Sequence, residues 1–252
     1  MATQSTFSMT QHGRTEPFDL QVARGQIPYH SVVNIYGYQS TVGASFIPIW
    51  ENNTAYTYPA SAISMLMTGT GSDTAKVQIN GLDANYNPIT ETVTLNGSTG
   101  VATTNNYFRV NNLVVVSGNP AANVTLTSSD GNTSNTYAKI VTGIGKSQNS
   151  WYTVPANNTF YLTRSQVFST ATAIASTAYN SYQVVTISST GVQQVLTKRP
   201  FTANFEIRRV APTVYAAGTD IQWQANTNSG NSTVAVSLEG YLVKNDGTST
   251  GY

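Results

Sequence analysis

Residues 76–97 read KVQINGLDANYNPITETVTLNG. Apolar and polar side chains alternate in Lys76-Val77-Gln78-Ile79-Asn80 and again in Glu91-Thr92-Val93-Thr94-Leu95-Asn96. A period of two puts Val77, Ile79, Val93 and Leu95 on one face and mostly Gln, Asn and Thr on the other, as in antiparallel strands with one wet face. Asn80-Gly81 and Asn96-Gly97 are turn dipeptides. Between the two runs, Asp83-Ala84-Asn85-Tyr86-Asn87 has the spacing of the first three ligands of an EF-hand loop. Pro88 stands where that loop needs Gly, however, and Thr94 where it needs a bidentate Glu. A hairpin turn closed by Asx side chains is the preferred reading.

The same alternation recurs in Asn123-Val124-Thr125-Leu126-Thr127 and in Thr233-Val234-Ala235-Val236-Ser237-Leu238, and Ser117-Gly118, Asp130-Gly131, Thr190-Gly191 and Ser229-Gly230 mark further turns. No long stretch shows the helical i, i+3, i+4, i+7 pattern. Short strands at such spacing predict an all-β chain built of sandwiches or jelly rolls. Thr, Ser and Asn make up about a third of the 252 residues, and only 9% are charged, against about 25% in ordinary domains. β-Branched Thr suits the wet face of a strand, so the surface is polar without being ionic. A net charge of +1 provides no broad electrostatic footprint for nucleic acid. With no cysteine, neither disulfides nor thiolate metal sites are available. Neither a secretion-type apolar core near the N-terminus nor a run of about 18–20 apolar residues is present, which predicts a soluble chain with no membrane partner.

The small, polar run Gly143 to Ser150 suggests a boundary. The expected organisation is an extended N-terminal arm over 1–35, a β-sandwich domain over 36–145 and a jelly-roll-like β-domain over 146–252. Residues 169–181, rich in Ser, Thr and Ala, read as a long loop or a short helix, with the loop preferred. In the arm, alternating Phe18, Leu20 and Val22 look suited to adding a strand to a sheet.

The stretch NIYGYQSTVGASF at 34–46, with Trp50-Glu51 and Tyr56-Thr57-Tyr58-Pro59, resembles little-characterised virion structural proteins of tailed bacteriophages. So do residues 79–118 and YTVPANNTFYLTR at 152–164. The likeness covers most of 30–165 and extends in general character to the C-terminal strands. It implies a homo-oligomeric component of the particle, with a trimer the first expectation, that docks on other virion proteins such as the major capsid protein. Capsid decoration is the first expectation for its role, and a tail or head-fibre adhesin binding a host receptor or glycan the second. For the adhesin, the polar loops near 128–136 and 226–233 would form the recognition surface.

Catalysis requires titratable groups that converge, and here the supply is thin. His12 and His30 lie 18 residues apart in the arm, and no GxSxG or HExxH pattern occurs. Gly69-Thr70-Gly71-Ser72 has only two glycines of a dinucleotide fingerprint and no helix after it. The acids Asp73, Asp83, Glu91, Asp130, Glu206, Asp220 and Glu239 each have a local explanation, and nothing in the sequence pairs two of them for glycoside hydrolysis. No enzyme activity, catalytic residue, metal or cofactor is therefore expected. The expected partner interface comprises the arm residues Phe18, Leu20 and Val22, the aromatics Tyr29, Tyr36, Tyr38, Trp50, Tyr56 and Tyr58, and the basic residues Arg199, Arg208 and Arg209. The aromatics have two other readings, as core packing and as a glycan-stacking surface. Lys198-Arg199 and Arg208-Arg209 could clamp a carboxylate of a neighbouring subunit or simply be solvated strand ends.

Overall fold

The computed structural model describes residues 10–11, 14–129, 135–169, 179–228 and 232–245. The N-terminal strands are β1 (Thr10–Gln11) and β2 (Arg14–Thr15), followed by a helix α1 (Phe18–Ala23), β3 (His30–Val42) and β4 (Ile47–Pro48). The middle of the chain forms β5 (Ile63–Thr68), β6 (Lys76–Leu82), β7 (Pro88–Thr94), β8 (Val101–Tyr107), β9 (Arg109–Ser117), β10 (Val124–Ser128) and β11 (Thr136–Ile140). The remainder forms β12 (Trp151–Thr153), β13 (Asn158–Ser169), β14 (Asn180–Ile187), β15 (Gln193–Phe201), β16 (Phe205–Tyr215), β17 (Asp220–Thr227) and β18 (Ser232–Lys244). The chain is nearly all β, and every strand pairing is antiparallel.

The pairings identify the second unit. Taking β3 and then β12 to β18 as eight successive strands, the first pairs with the eighth, the second with the seventh, the third with the sixth and the fourth with the fifth. This nested hairpin splits into the sheets β16-β13-β18-β3 and β12-β17-β14-β15, with β4 added beside β17, which is an eight-stranded jelly roll. Its core is aromatic-rich and includes Phe160, Tyr182, Phe201, Tyr215 and Trp223 together with Ile35, Val42 and Ile49.

The other sandwich faces the sheet β11-β10-β5-β8 against β7-β6-β9 around Met65, Met67, Val77, Ile79, Leu113, Leu126 and Ile140. It is inserted into the jelly roll between the first and second of those eight strands. The chain leaves at Ile49-Trp50 and returns at Asn149-Ser150, and Trp50 forms a bridge with Asn149. Gly37 of β3 lies over this junction, where a Cβ would come within 2.5 Å of the Ile49 carbonyl and 2.6 Å of the Ser150 Cβ. Residues 36–49 therefore supply jelly-roll core and not, as expected, the first sandwich. The expected division failed because the pairing of β3 with β18 spans about two hundred residues, which a local period cannot reveal.

Two local expectations also change. Phe18–Ala23 is helical, not an alternating strand. Pro17 precedes the helix, the Asp19 carboxylate sits in its first turn and Gly25, at φ 69°, follows its end, all of which favour a short helix. Val22 is consequently buried while Phe18 and Leu20 are exposed. Asn80-Gly81 lies inside β6 rather than at a turn, opposite a bulge at Asn111 of β9. Gly81 is needed there because a Cβ would stand 2.4 Å from the Arg109 carbonyl and 2.6 Å from the Tyr107 ring. The turn that follows is made by Asp83, whose Oδ1 accepts from the Asn85 and Asn87 N–H groups, both at 2.8 Å, which is the expected Asx arrangement. Asp130-Gly131, Ser229-Gly230, His12 and most of 169–181 lie outside the described residues.

Candidate functional site

A jelly roll has two flanks along which the edges of its sheets face each other. On one, the edges are β3 and β12, and the inserted sandwich covers them. The Asn111 carboxamide accepts from the Thr153 N–H at 2.9 Å and donates to the Thr153 carbonyl at 3.2 Å, so a side chain stands in for a neighbouring strand along β12. Arg109, from the insertion, forms a two-pronged ion pair with buried Asp220 on β17 at 2.9 Å. Asp220 also accepts from the Thr153 hydroxyl at 2.6 Å. The guanidinium lies over the Tyr58 ring at 4.5 Å and the Phe108 ring at 3.9 Å. Buried charges are tolerated when paired and fully hydrogen-bonded, and this pair meets that condition. Arg109 gave no signal in the sequence, and Asp220 entered only as one of the acids left unpaired. The only signal was an acid opening the strong strand run Ile221-Gln222-Trp223.

Trp50, Tyr56 and Tyr58 belong to this junction. Tyr56 stacks on Trp151 at 4.1 Å, Trp50 meets Trp151 edge-on at 5.1 Å, and Tyr58 meets Tyr56 at 5.0 Å. Trp50 is buried, and burial pushes the Tyr56 and Tyr58 hydroxyls well above their ordinary range. These three aromatics are anchors between the two sandwiches of one chain, not an outward surface.

On the second flank the edges are β15 and β16, and among the described residues no strand pairs with either of them on the outside. Both edges are irregular. Leu196 is an extra residue in β15 between the pairs Val184–Thr197 and Val185–Val195, and Arg209 to Pro212 bulge from β16 opposite Thr163. Bulges, Lys and Pro at an edge oppose indiscriminate strand addition. Yet Val192, Val195, Leu196, Val210 and Val214 are all exposed here.

A concavity of about 690 Å³ lies on the outer face of the sheet β16-β13-β18-β3, beside α1. Its floor is a charge network. Arg164 donates from Nε to Glu206 at 2.9 Å and from Nη1 to Glu239 at 3.3 Å, and Arg208 also pairs with Glu206. Arg164 and then Arg208 hold the Glu206 carboxyl down at about 2. The network thus pairs two acids that the sequence left separate. A glycosidase acid must instead hold its proton near neutral pH, which Glu206 does not. At the rim, Tyr241 bonds to Asp19, and Phe18 meets the Tyr241 and His30 rings edge-on at 5.5 and 6.0 Å. Of the remaining expected interface residues, Tyr29 and Tyr36 are exposed, Tyr38 is half-buried, Arg208 and Arg209 both line the groove, Arg209 reaching from the edge strand β16 to Ser165, and Arg199 lies on β15 of the open flank. Among the described residues, no group of three or more His, Cys, Asp or Glu could hold a metal ion.

No family model and no curated protein matches the chain. Among solved structures it is similar to the STIV MCP, at 10% identity over 87% of this chain and 100% of that one, with a TM-score of 0.23. It is also similar to a structure of infectious bursal disease virus, Gx strain, at 11% identity over 95% of this chain and 79% of that one, with a TM-score of 0.24. Superposition at that level carries no functional inference.

Proposed function

We propose that the protein is a structural component of a tailed-bacteriophage virion that decorates the capsid by docking on the major capsid protein. The observation that carries this reading is the open flank of the jelly roll. Apolar side chains are exposed on β15 and β16, and exposed patches of that kind mark protein contacts. The sequence resemblance in 34–58, 79–118 and 152–164 supports it, as does the use of jelly rolls in viral shells, although the same fold also serves lectins and cupins. A homo-oligomer, a trimer first, fits the same mode of action, in which function comes from interface area rather than a pocket.

The polar groove lined by Arg164, Arg208 and Glu239 favours a second reading, a tail or head-fibre adhesin that takes a glycan there. Copy number separates the two. A decoration protein is abundant in virion gel densitometry and rebinds capsids stripped of it. A few copies per particle, with binding of the purified protein to host cells, would replace decoration with adhesion, and absence from purified particles would end both readings.

A further inference from the structure

Along the open flank, two arginines face the gap between the sheets from opposite sides. Arg199 of β15 lies opposite Tyr182 in register. Arg209 of β16 donates to the buried Ser165 hydroxyl at 2.9 Å. Beneath them is Tyr182, fully buried and stacked on Trp223 at 5.3 Å, within electrostatic reach of both guanidiniums. Its hydroxyl has no hydrogen-bond partner among the described residues. A buried hydroxyl left unmatched is costly, and half-buried Arg209 pairs with no carboxylate among the described residues, so desolvation draws it below the ordinary arginine range. The described carboxylates are engaged elsewhere: Glu16 by Arg24, Asp19 by Tyr241, Glu206 and Glu239 by Arg164, and Asp220 by Arg109. Asp73, Asp83 and Glu91 accept from backbone N–H groups, and Glu51 is sunk at the junction near Lys139. Farther along the same gap, Val192, Leu196, Val214 and Tyr215 line a cleft of about 280 Å³.

We infer that this flank is a receptor for an acidic, apolar segment of another protein chain, whose carboxylate enters between Arg199 and Arg209 and accepts from the Tyr182 hydroxyl while its apolar neighbours fill the cleft beside Leu196 and Val214. The roughly four lone-pair sites of one carboxylate can accept from both guanidiniums and the hydroxyl together. The bulged edges exclude a plain added strand, so side chains carry the specificity. The inference shares with the virion reading only the open flank. Copy number tests that reading and peptide binding tests this one, so either can fail alone.

The test is calorimetric titration of the full chain with the blocked peptides Val-Val-Glu-Val-Val and Val-Val-Gln-Val-Val and with inorganic phosphate. Saturable binding of the Glu peptide is expected, weakened about tenfold or more by Arg199→Gln, by Arg209→Gln or by the Gln peptide, the loss associated with one charge-assisted hydrogen bond. Tyr182→Phe should weaken binding about three- to tenfold without lowering the melting temperature, an outcome that a merely structural tyrosine would not produce. No saturable binding of the Glu peptide, equal affinity for the Gln peptide, or phosphate binding as tight as the peptide would each overturn the inference. So would binding that emerges only after residues 246–252 are removed, since the chain's own tail would then be the occupant.

Discussion

The two flanks of the jelly roll use similar chemistry with opposite outcomes. On the covered flank, Arg109 enters from the inserted sandwich, lies over aromatic rings and meets Asp220. On the open flank, Arg199 and Arg209 stand over the aromatic Tyr182, whose hydroxyl is unpartnered among the described residues. The first arrangement is a finished interface within one chain. The second has the cationic half of such an interface and a buried donor with no acceptor. A jelly roll cannot close both flanks by itself, because its sheets are joined only through a shared core and their outer edges stay unpaired. This protein closes one with an insertion and leaves apolar side chains exposed on the other.

Breaking the covered flank should have the largest effect. Arg109→Met leaves Asp220 buried and unpaired and is expected to cost about 3–5 kcal/mol, whereas Arg109→Met combined with Asp220→Leu should recover much of the loss, as buried pairs replaced by apolar groups often do. Arg209→Gln, which strands no carboxylate, should cost less than about 1 kcal/mol. Urea unfolding of the three variants, read at constant m-value, makes the comparison. If Arg109→Met costs no more than Arg209→Gln, the two flanks do not differ as described.

A smaller effect follows at the junction. The methyl group of Gly37→Ala would clash with the Ile49 carbonyl and Ser150, and overpacking of this kind costs about 1–3 kcal/mol. The same change at Gly191 of the open flank, where nothing lies within 4 Å of the added Cβ, should cost only the strain of its positive φ, about 1 kcal/mol. Thermal denaturation of the two variants ranks the sites, and equal shifts would mean that β3 does not pass as close to the junction as the structure places it.

The strands with a wet face were legible in the sequence because each carries its signal locally. Lys76 to Asn80, Glu91 to Thr94 and Val124 to Thr127 alternate over a few residues, and all three segments lie in strands. The insertion was not legible. β3 looks like any strand, and only its partner β18, far along the chain, places it in the jelly roll. Phe18, Leu20 and Val22 misled because six residues are too few to distinguish a period of 2 from one of 3.6, and Pro17 and Gly25 decided the outcome. The aromatics from Trp50 to Tyr58 did read as interface anchors, but residue type alone does not tell an interface within a chain from one between chains. Arg199 and Arg209 each belong to a basic pair that is visible in the sequence, while Tyr182 carries no such signal, since an unmatched hydroxyl exists only once the core is packed.

The smallest expected effect concerns the pH dependence of the two regions. Glu51 sits at the covered junction, and burial raises its carboxyl above the ordinary 4.5. As pH climbs from 4.5 through that raised value, the unfolded chain has already released its proton while the folded chain still holds one, so stability declines across the window. Glu51→Gln removes the decline and should leave the protein more stable at pH 7 than the parent. Glu206, at the edge of β16, behaves in the opposite sense. Arg164 and Arg208 hold it at about 2, so its contribution is complete above 4.5 and fades as pH falls toward 2. Glu206→Gln should therefore flatten the acid limb of the stability profile and leave the region above 4.5 parallel to the parent. Melting temperatures of both variants between pH 2 and pH 8 test the pair. Slopes of the same sign would show that the covered junction does not hold Glu51 away from water any more than the open edge holds Glu206.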